Sequence, residues 1–140
     1  MRRGAMTLPV FLKLYAIALP TFLAIDLLWL GVIARSFYQS QLGHLMRPNV
    51  NWVAALAFYV VFVVGIVILV VGPAIERHSL LRAVLLGALL GVVTYAAYDL
   101  TNLAVLEGFP LAMAVVDVTW GAVVCGTVSG VTYRVWTWLT

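Results

Sequence analysis

The stretch WVAALAFYVVFVVGIVILVVG, residues 52–72, contains no charged side chain. A helix needs about 20 apolar residues to cross the hydrocarbon core of a bilayer, so this stretch is long enough to span one. It belongs to a set of four apolar runs, which predict spans over residues 8–33, 50–72, 80–103 and 111–133. The sequence therefore predicts an all-α fold, an integral membrane bundle of four transmembrane helices forming a single domain over residues 1–140.

The composition of the whole chain agrees with a membrane location. Hydrophobic residues make up 65% of the chain and charged residues only 9%, whereas a soluble domain carries roughly 25% charged residues. We therefore expect the lipid bilayer as partner. The net charge of +3 comes from basic residues placed singly or in pairs between apolar runs, a pattern that orients helices and does not indicate nucleic-acid binding.

The sequence predicts neither a metal site nor a bound cofactor. Cys125 is the single cysteine, which excludes an internal disulfide and any multi-cysteine metal site. His44 and His78 have no partner at helical spacing, so neither belongs to a zinc motif.

The start of the chain has two interpretations. Arg2 and Arg3 precede an apolar run that contains the small-residue sequence AIA, as in a secretory signal peptide. That run continues to Ile33, well beyond a short signal sequence, and this favours a retained helix.

The distribution of Lys and Arg predicts the orientation of the bundle. Arg35 and Arg47 lie in the connections on one side of the predicted membrane. The other basic residues lie at the opposite side: Arg2, Arg3, Lys13, Arg77, Arg82 and Arg134. Because cytoplasmic loops carry an excess of Lys and Arg, both termini are predicted to be cytoplasmic.

Three of the five acidic residues lie inside predicted spans: Asp26, Asp99 and Asp117. Counted from the span centres at 1.5 Å per residue, all three fall roughly 7–12 Å to the outer side of the midplane. An aspartate at mid-bilayer costs about 2.5–3.5 kcal/mol on insertion scales, so exposure of three to lipid is implausible. The sequence predicts a buried carboxylate cluster in the outer leaflet.

Polar and aromatic neighbours at helical spacing enlarge this cluster. Tyr95, Asp99 and Asn102 share one helix face, while Trp29 follows Asp26, and Trp120 follows Asp117, at the same spacing in DLLWLG and DVTWG. The candidate ligand-binding residues are thus Asp26, Asp99, Asp117, Asn102, Tyr95, Trp29 and Trp120. The alternative is that these side chains only hydrogen-bond across helices and fix their packing.

Two further segments each leave two interpretations. The motifs GALLG (Gly87, Gly91) and GTVSG (Gly126, Gly130) predict close helix contact, either within the bundle or with a second copy or larger membrane partner. The connection RSFYQSQLGHLMRPN, residues 35–49, is either a solvated loop or an interfacial helix lying over the acidic cluster.

The motifs DLLWLG, YDLTNLA and VDVTWG, in their order and spacing, resemble a bacterial family of four-helix membrane proteins catalogued as domain of unknown function 2177. The resemblance covers nearly the whole chain. It implies a multi-pass protein of the bacterial inner membrane. Members are often encoded near genes for fatty-acid modification and oxidative-stress response. The resemblance supplies no catalytic residue.

Three classes of function remain open from the sequence. Intramembrane acids commonly mark ion paths, which favours binding or conducting a proton, a cation or a small cationic ligand. An intramembrane enzyme acting on a lipid or quinone would use the aspartates as acid and base, but no nucleophile–base pair supports it. The third class is an accessory subunit of a larger membrane assembly.

Overall fold

The computed structural model of the protein describes residues Met6–Thr140. It contains four helices long and apolar enough to cross a membrane: Leu8–Ile33, Trp52–Glu76, Leu80–Val105 and Leu111–Leu139. The predicted all-α membrane bundle of four helices is therefore confirmed. Arg2 and Arg3, which entered the orientation prediction, lie outside the described residues.

Two of the four spans change helix type along their length. The first consists of α1 (Leu8–Leu28) and a π-helical turn (Trp29–Ile33). The second consists of α3 (Trp52–Gly65), a π-helical turn (Ile66–Val71) and α4 (Gly72–Glu76). The third and fourth are the regular helices α5 (Leu80–Val105) and α6 (Leu111–Leu139), and a short helix, α2 (Arg35–Leu42), lies in the first connection.

Capping side chains mark where the first three spans begin. Thr7 Oγ1 accepts a hydrogen bond from the amide of Val10, Asn51 Oδ1 from Ala54, and Ser79 Oγ from Arg82. Each cap satisfies an amide that the first turn of a helix leaves without an intrahelical partner. These polar residues therefore fix the first residue of each helix, which the hydrophobicity of the sequence alone does not define.

The surface of the bundle is apolar. Large side chains such as Val53, Val61 and Leu69 are exposed along the second span. In water such a surface would be an aggregation liability, but in a bilayer it faces acyl chains. A lipid bilayer is therefore the environment of this protein.

Buried residues at four-residue spacing place the aspartates on inward faces. On α1 the buried residues are Leu14, Ala18, Phe22 and Asp26. On α5 they are Ala83, Gly87, Gly91 and Asp99. Asp117 and Gly121 continue the same spacing on α6. Because residues four apart lie on one side of a helix, each aspartate extends an inward-facing stripe.

The two ends of the bundle differ in what they carry. One end, which we call the terminal end, brings Met6 and Thr7 close to Ile75 and Trp136 around a shared groove. The opposite end, which we call the loop end, carries α2 and the connection between α5 and α6. The aspartates lie in the half of the bundle that adjoins the loop end.

Candidate functional site

Asp26 is held by two neutral donors from other helices. Tyr59 on α3 donates its hydroxyl to Asp26 Oδ2 at 2.5 Å, and Trp120 on α6 donates its indole N–H to Oδ1 at 2.9 Å. The residue is only 5% exposed. These bonds join three spans at one carboxyl group, and none of the donors brings a positive charge.

Asp117 is joined to the connection that crosses the loop end. Tyr38 on α2 donates its hydroxyl to Asp117 Oδ1 at 2.5 Å, and the indole N–H of Trp29 donates to the Tyr38 oxygen at 3.2 Å. Asp117 is 7% exposed. As at Asp26, the side chain that donates to the carboxyl group is neutral.

The two Asp-x-x-Trp motifs exchange partners. Trp29 reaches Asp117 through Tyr38, whereas Trp120 binds Asp26 directly. The two indoles stack on one another, with ring centroids 4.2 Å apart and planes inclined by 7°. Each motif therefore supplies a tryptophan to the aspartate of the other motif, which ties α1 and α6 together across the bundle.

Asp99 has a different environment from the other two aspartates. It is completely buried, at 0% exposure, and lies beside Asp117 on the neighbouring helix. Neither of its carboxyl oxygens has a hydrogen-bond partner among the described residues. Since a buried carboxyl oxygen normally has a donor, Asp99 is the least satisfied polar group of the cluster.

A cavity of about 320 Å³ lies between the helices at this level. Asp26 and Asp117 both line it, and most of the remaining wall is aromatic. The lining residues are Asp26, Leu30, Tyr38, Phe58, Tyr59, Thr94, Tyr95, Tyr98, Asp117 and Trp120. Two carboxyl groups thus line a cavity whose other lining side chains are mostly aromatic. Its volume is at the small end of the range for ligand pockets.

The helix α2 covers the loop end of this cavity. Phe37, Tyr38 and Leu42 pack against the buried cluster around Phe109 and Met113. The connection continues to His44, whose Nε2 lies 3.2 Å from the Gly108 carbonyl oxygen. Of the two interpretations of residues 35–49, the helical one therefore holds for Arg35–Leu42.

Tyr38 remains a hydrogen-bond donor over a wide pH range. Burial raises the pKa of its phenol above the ordinary value, and the hydrogen bond to Asp117 raises that pKa further. A neutral phenol can donate to a carboxylate, whereas a phenolate cannot. The hydrogen bond from α2 to Asp117 therefore persists over a wide pH range, because the Tyr38 hydroxyl does not readily lose its proton.

The structure brings together only part of the predicted site. Of the seven candidate residues, Asp26, Asp117, Tyr95 and Trp120 line the cavity, and Trp29 stacks on its wall. Asp99 lies behind Asp117. Asn102 is half-buried one turn further along α5 and does not line the cavity.

Sequence reasoning missed Tyr38 and Tyr59, which donate to Asp117 and Asp26. For Tyr59 a signal was present, because a hydroxyl inside the uncharged stretch 52–72 needs a buried partner. For Tyr38 no local pattern pointed inward, since its partner is 79 residues away in sequence.

The carboxyl groups do not converge as metal ligands. In the part of the chain that the structure describes, no group of three or more His, Cys, Asp or Glu residues could hold a metal ion together. What these residues form is a pair of carboxyl groups in an aromatic chamber.

Fold and site together define a polytopic α-helical membrane protein with a largely aromatic cavity, lined by two carboxyl groups, within the bundle. The family described as "Predicted membrane protein (DUF2177)" matches residues 11–134, and the chain belongs to this family. No curated protein and no solved structure matches the chain.

Proposed function

We propose that the cavity binds a small organic cation, with Asp26 and Asp117 as its counter-charges. The observation that carries the proposal is that both carboxyl groups face the aromatic cavity while their donors in the chain, Tyr59, Trp120 and Tyr38, are all neutral. A carboxylate in a low-dielectric site is best stabilised by an opposite charge. A cationic ligand would supply that charge.

The aromatic walls favour an ammonium or guanidinium group over a bare metal ion. The faces of Trp120, Tyr59 and Tyr95 offer negative electrostatic potential to an organic cation, as in aromatic cages for quaternary ammonium groups. A hard metal ion needs six or more oxygen ligands, and two carboxyl groups that already accept hydrogen bonds from Tyr and Trp supply only part of such a set. Cation–π contact and charge neutralisation therefore point to the same ligand class.

The experiment is a ligand-dependent unfolding measurement on the purified protein in a non-ionic detergent. Benzyltrimethylammonium chloride is titrated against sodium chloride at equal ionic strength. We expect the melting temperature of the wild type to rise with the organic cation only, because binding to the folded state stabilises it.

Matched variants locate the effect. Asp26→Asn and Asp117→Asn should abolish the stabilisation, singly or together. Glu107→Gln is the control, because Glu107 is an exposed carboxylate in the α5–α6 connection at the same end of the bundle. Equal stabilisation of the wild type and all the variants, or of none of them, would refute the proposed function.

We further propose the bacterial inner membrane as the location, with both termini in the cytoplasm and the loop end on the outer side. The excess of Lys and Arg at the terminal end, which includes Lys13, Arg77 and Arg82, supports this orientation. Reporter fusions at both termini and within residues 43–49 test it, and an active cytoplasmic reporter in that loop would contradict it.

We propose that any association with a second copy or a larger partner uses a surface other than the glycine motifs. The faces of Gly87, Gly91, Gly126 and Gly130 are filled by contacts between α5 and α6. The Gly126→Ala variant should therefore change the unfolding temperature without changing the oligomeric mass. A change in mass at unchanged stability would refute this.

A further inference from the structure

The side of the cavity between α3 and α5 differs from its other sides. In the second span, α5 packs against the π-helical turn Ile66–Val71 and against α4, while α3 packs against α1. The rings of Phe62 on α3 and Tyr95 on α5 lie 6.5 Å apart between centroids, and Tyr95 lines the cavity, so this pair bridges the two helices at the cavity wall. On the loop-end side of that bridge, the cavity forms a cleft between Phe58 and Tyr59 of α3 and Tyr95 and Tyr98 of α5.

The rim of this cleft consists of cavity residues that are also exposed on the outside of the bundle. Phe58 on α3 is 46% exposed and Tyr98 on α5 is 57% exposed, and both line the cavity. Both lie within spans, so their exposed surface faces acyl chains. The wall of the cavity between α3 and α5 is thus formed by side chains that also contact lipid.

The water side, by contrast, is covered. Tyr38 lies over the cavity with its hydroxyl on Asp117 and receives the N–H of Trp29. Its helix α2 is fixed to the start of α6 by Phe37 and Leu42. A ligand coming from water would have to break these contacts, whereas a ligand coming from the bilayer would not.

We propose that the cavity opens sideways to the bilayer between α3 and α5 and takes a membrane amphiphile: a cationic head group between Asp26 and Asp117, with its apolar chain passing between Phe58 and Tyr98 into the lipid. This inference rests on the proposed function and names its ligand class. A volume of about 320 Å³ holds a head group and its first carbons, and the rest of the chain stays in the lipid from which it came.

The test uses a ligand that never leaves the membrane. The protein carries Trp52→Phe, Trp136→Phe and Trp138→Phe, so that Trp29 and Trp120 are its remaining tryptophans. It is placed in phosphatidylglycerol nanodiscs with increasing fractions of a dialkyl trimethylammonium lipid brominated on the carbons next to the head group. Bromine at the cavity quenches the fluorescence of Trp120.

We expect saturable quenching by the cationic lipid and only weak, linear quenching by a diacylglycerol with the same brominated chains. Unbrominated cationic lipid should relieve the quenching, because it competes for the same site. This competition experiment uses the same protein and needs no further variant. Combining Asp26→Asn with Asp117→Asn should raise the half-saturating fraction about tenfold or more, the scale expected for loss of a charge-assisted contact. Glu107→Gln should leave it unchanged.

The outcomes separate the two proposals. Stabilisation by benzyltrimethylammonium without saturable quenching by the cationic lipid would overturn lateral access and leave the cation site intact. Absence of both effects would overturn the proposed function as well. Saturable quenching that is equal in the aspartate variants would overturn the assignment of the head group to Asp26 and Asp117.

Discussion

α5 packs closely against α6 but is separated from α3 by the cavity. Against α6, α5 approaches so closely that an added Cβ at Gly87 would lie 2.6 Å from the carbonyl oxygen of Cys125. Toward α3, α5 diverges and leaves room for a cavity of about 320 Å³. Small residues line the α5–α6 interface, whereas large aromatic residues line the cavity between α5 and α3. The closely packed helices α5 and α6 thus form one wall of the cavity, and α3 forms the opposite wall.

The largest expected effect breaks the tight contact. A Cβ at Gly91 would collide with the backbone carbonyl of Gly121, and backbone atoms cannot move away as a flexible side chain can. We expect Gly91→Ala to destabilise the protein by about 3 kcal/mol. Unfolding in mixed micelles, followed by circular dichroism, measures this.

The matched control for that substitution is Gly65→Ala, because a Cβ at Gly65 would meet no atom within 4 Å. It should be neutral or slightly stabilising, since alanine is the better helix former. Equal loss of stability in both variants would mean that the α5–α6 contact is not specially tight.

The next effect concerns the cavity wall. Asp26→Ala removes the acceptor of Tyr59 and Trp120 and leaves two donors without a partner. We expect a loss of about 2 kcal/mol, since each unsatisfied donor is costly. The same unfolding assay measures it, and a variant as stable as the wild type would show that these bonds do not hold α1, α3 and α6 together.

Asp99→Ala should have the opposite sign. No described side chain donates a hydrogen bond to Asp99, and its carboxyl group lies beside that of Asp117, so its removal takes away a buried polar group and leaves no donor unsatisfied. We expect a gain of about 1 kcal/mol. A loss as large as that of Asp26→Ala would indicate that Asp99 has an unrecognised partner, such as a buried water.

The smallest effect lies at the loop end. Tyr38→Phe removes the hydrogen bond to Asp117 and the acceptor of the Trp29 indole N–H; a typical interhelical hydrogen bond in a membrane protein is worth about 0.6 kcal/mol. Because the pKa of Tyr38 is raised in the folded state, this contribution is present below the unfolded phenol pKa of about 10 and declines as the pH rises above it.

The difference in melting temperature between wild type and Tyr38→Phe should therefore be constant from neutral pH to about pH 9 and shrink at higher pH. A difference for Tyr38→Phe that grows with pH would contradict the sign.

Hydrophobic runs were enough to predict four helices, because length and apolarity alone decide whether a segment can span a bilayer. The inward direction of Asp26 and Asp99 also follows from the sequence, since each continues a four-residue spacing of small or apolar residues. The cavity could not be predicted this way. It depends on how far α3 and α5 diverge, and no spacing within either helix encodes that distance.

The partners of the aspartates were equally hidden. Tyr59 is 33 residues from Asp26, and Trp120 is 94 residues from it. Helical periodicity relates residues on one helix only. It suggested that Asp26 pairs with Trp29 and Asp117 with Trp120. In the folded chain Trp120 instead donates to Asp26, and Trp29 is connected to Asp117 through Tyr38.

That exchange of tryptophans has an evolutionary consequence. If each tryptophan were hydrogen-bonded to the aspartate of its own motif, a family member could lose one whole motif and keep the other intact. With crossed partners, a change at Trp120 relaxes selection on Asp26, and a change at Trp29 relaxes it on Tyr38 and Asp117. Across the family, substitutions should therefore be correlated between the first and last helices more strongly than within either motif, so that the two short motifs are inherited as one unit.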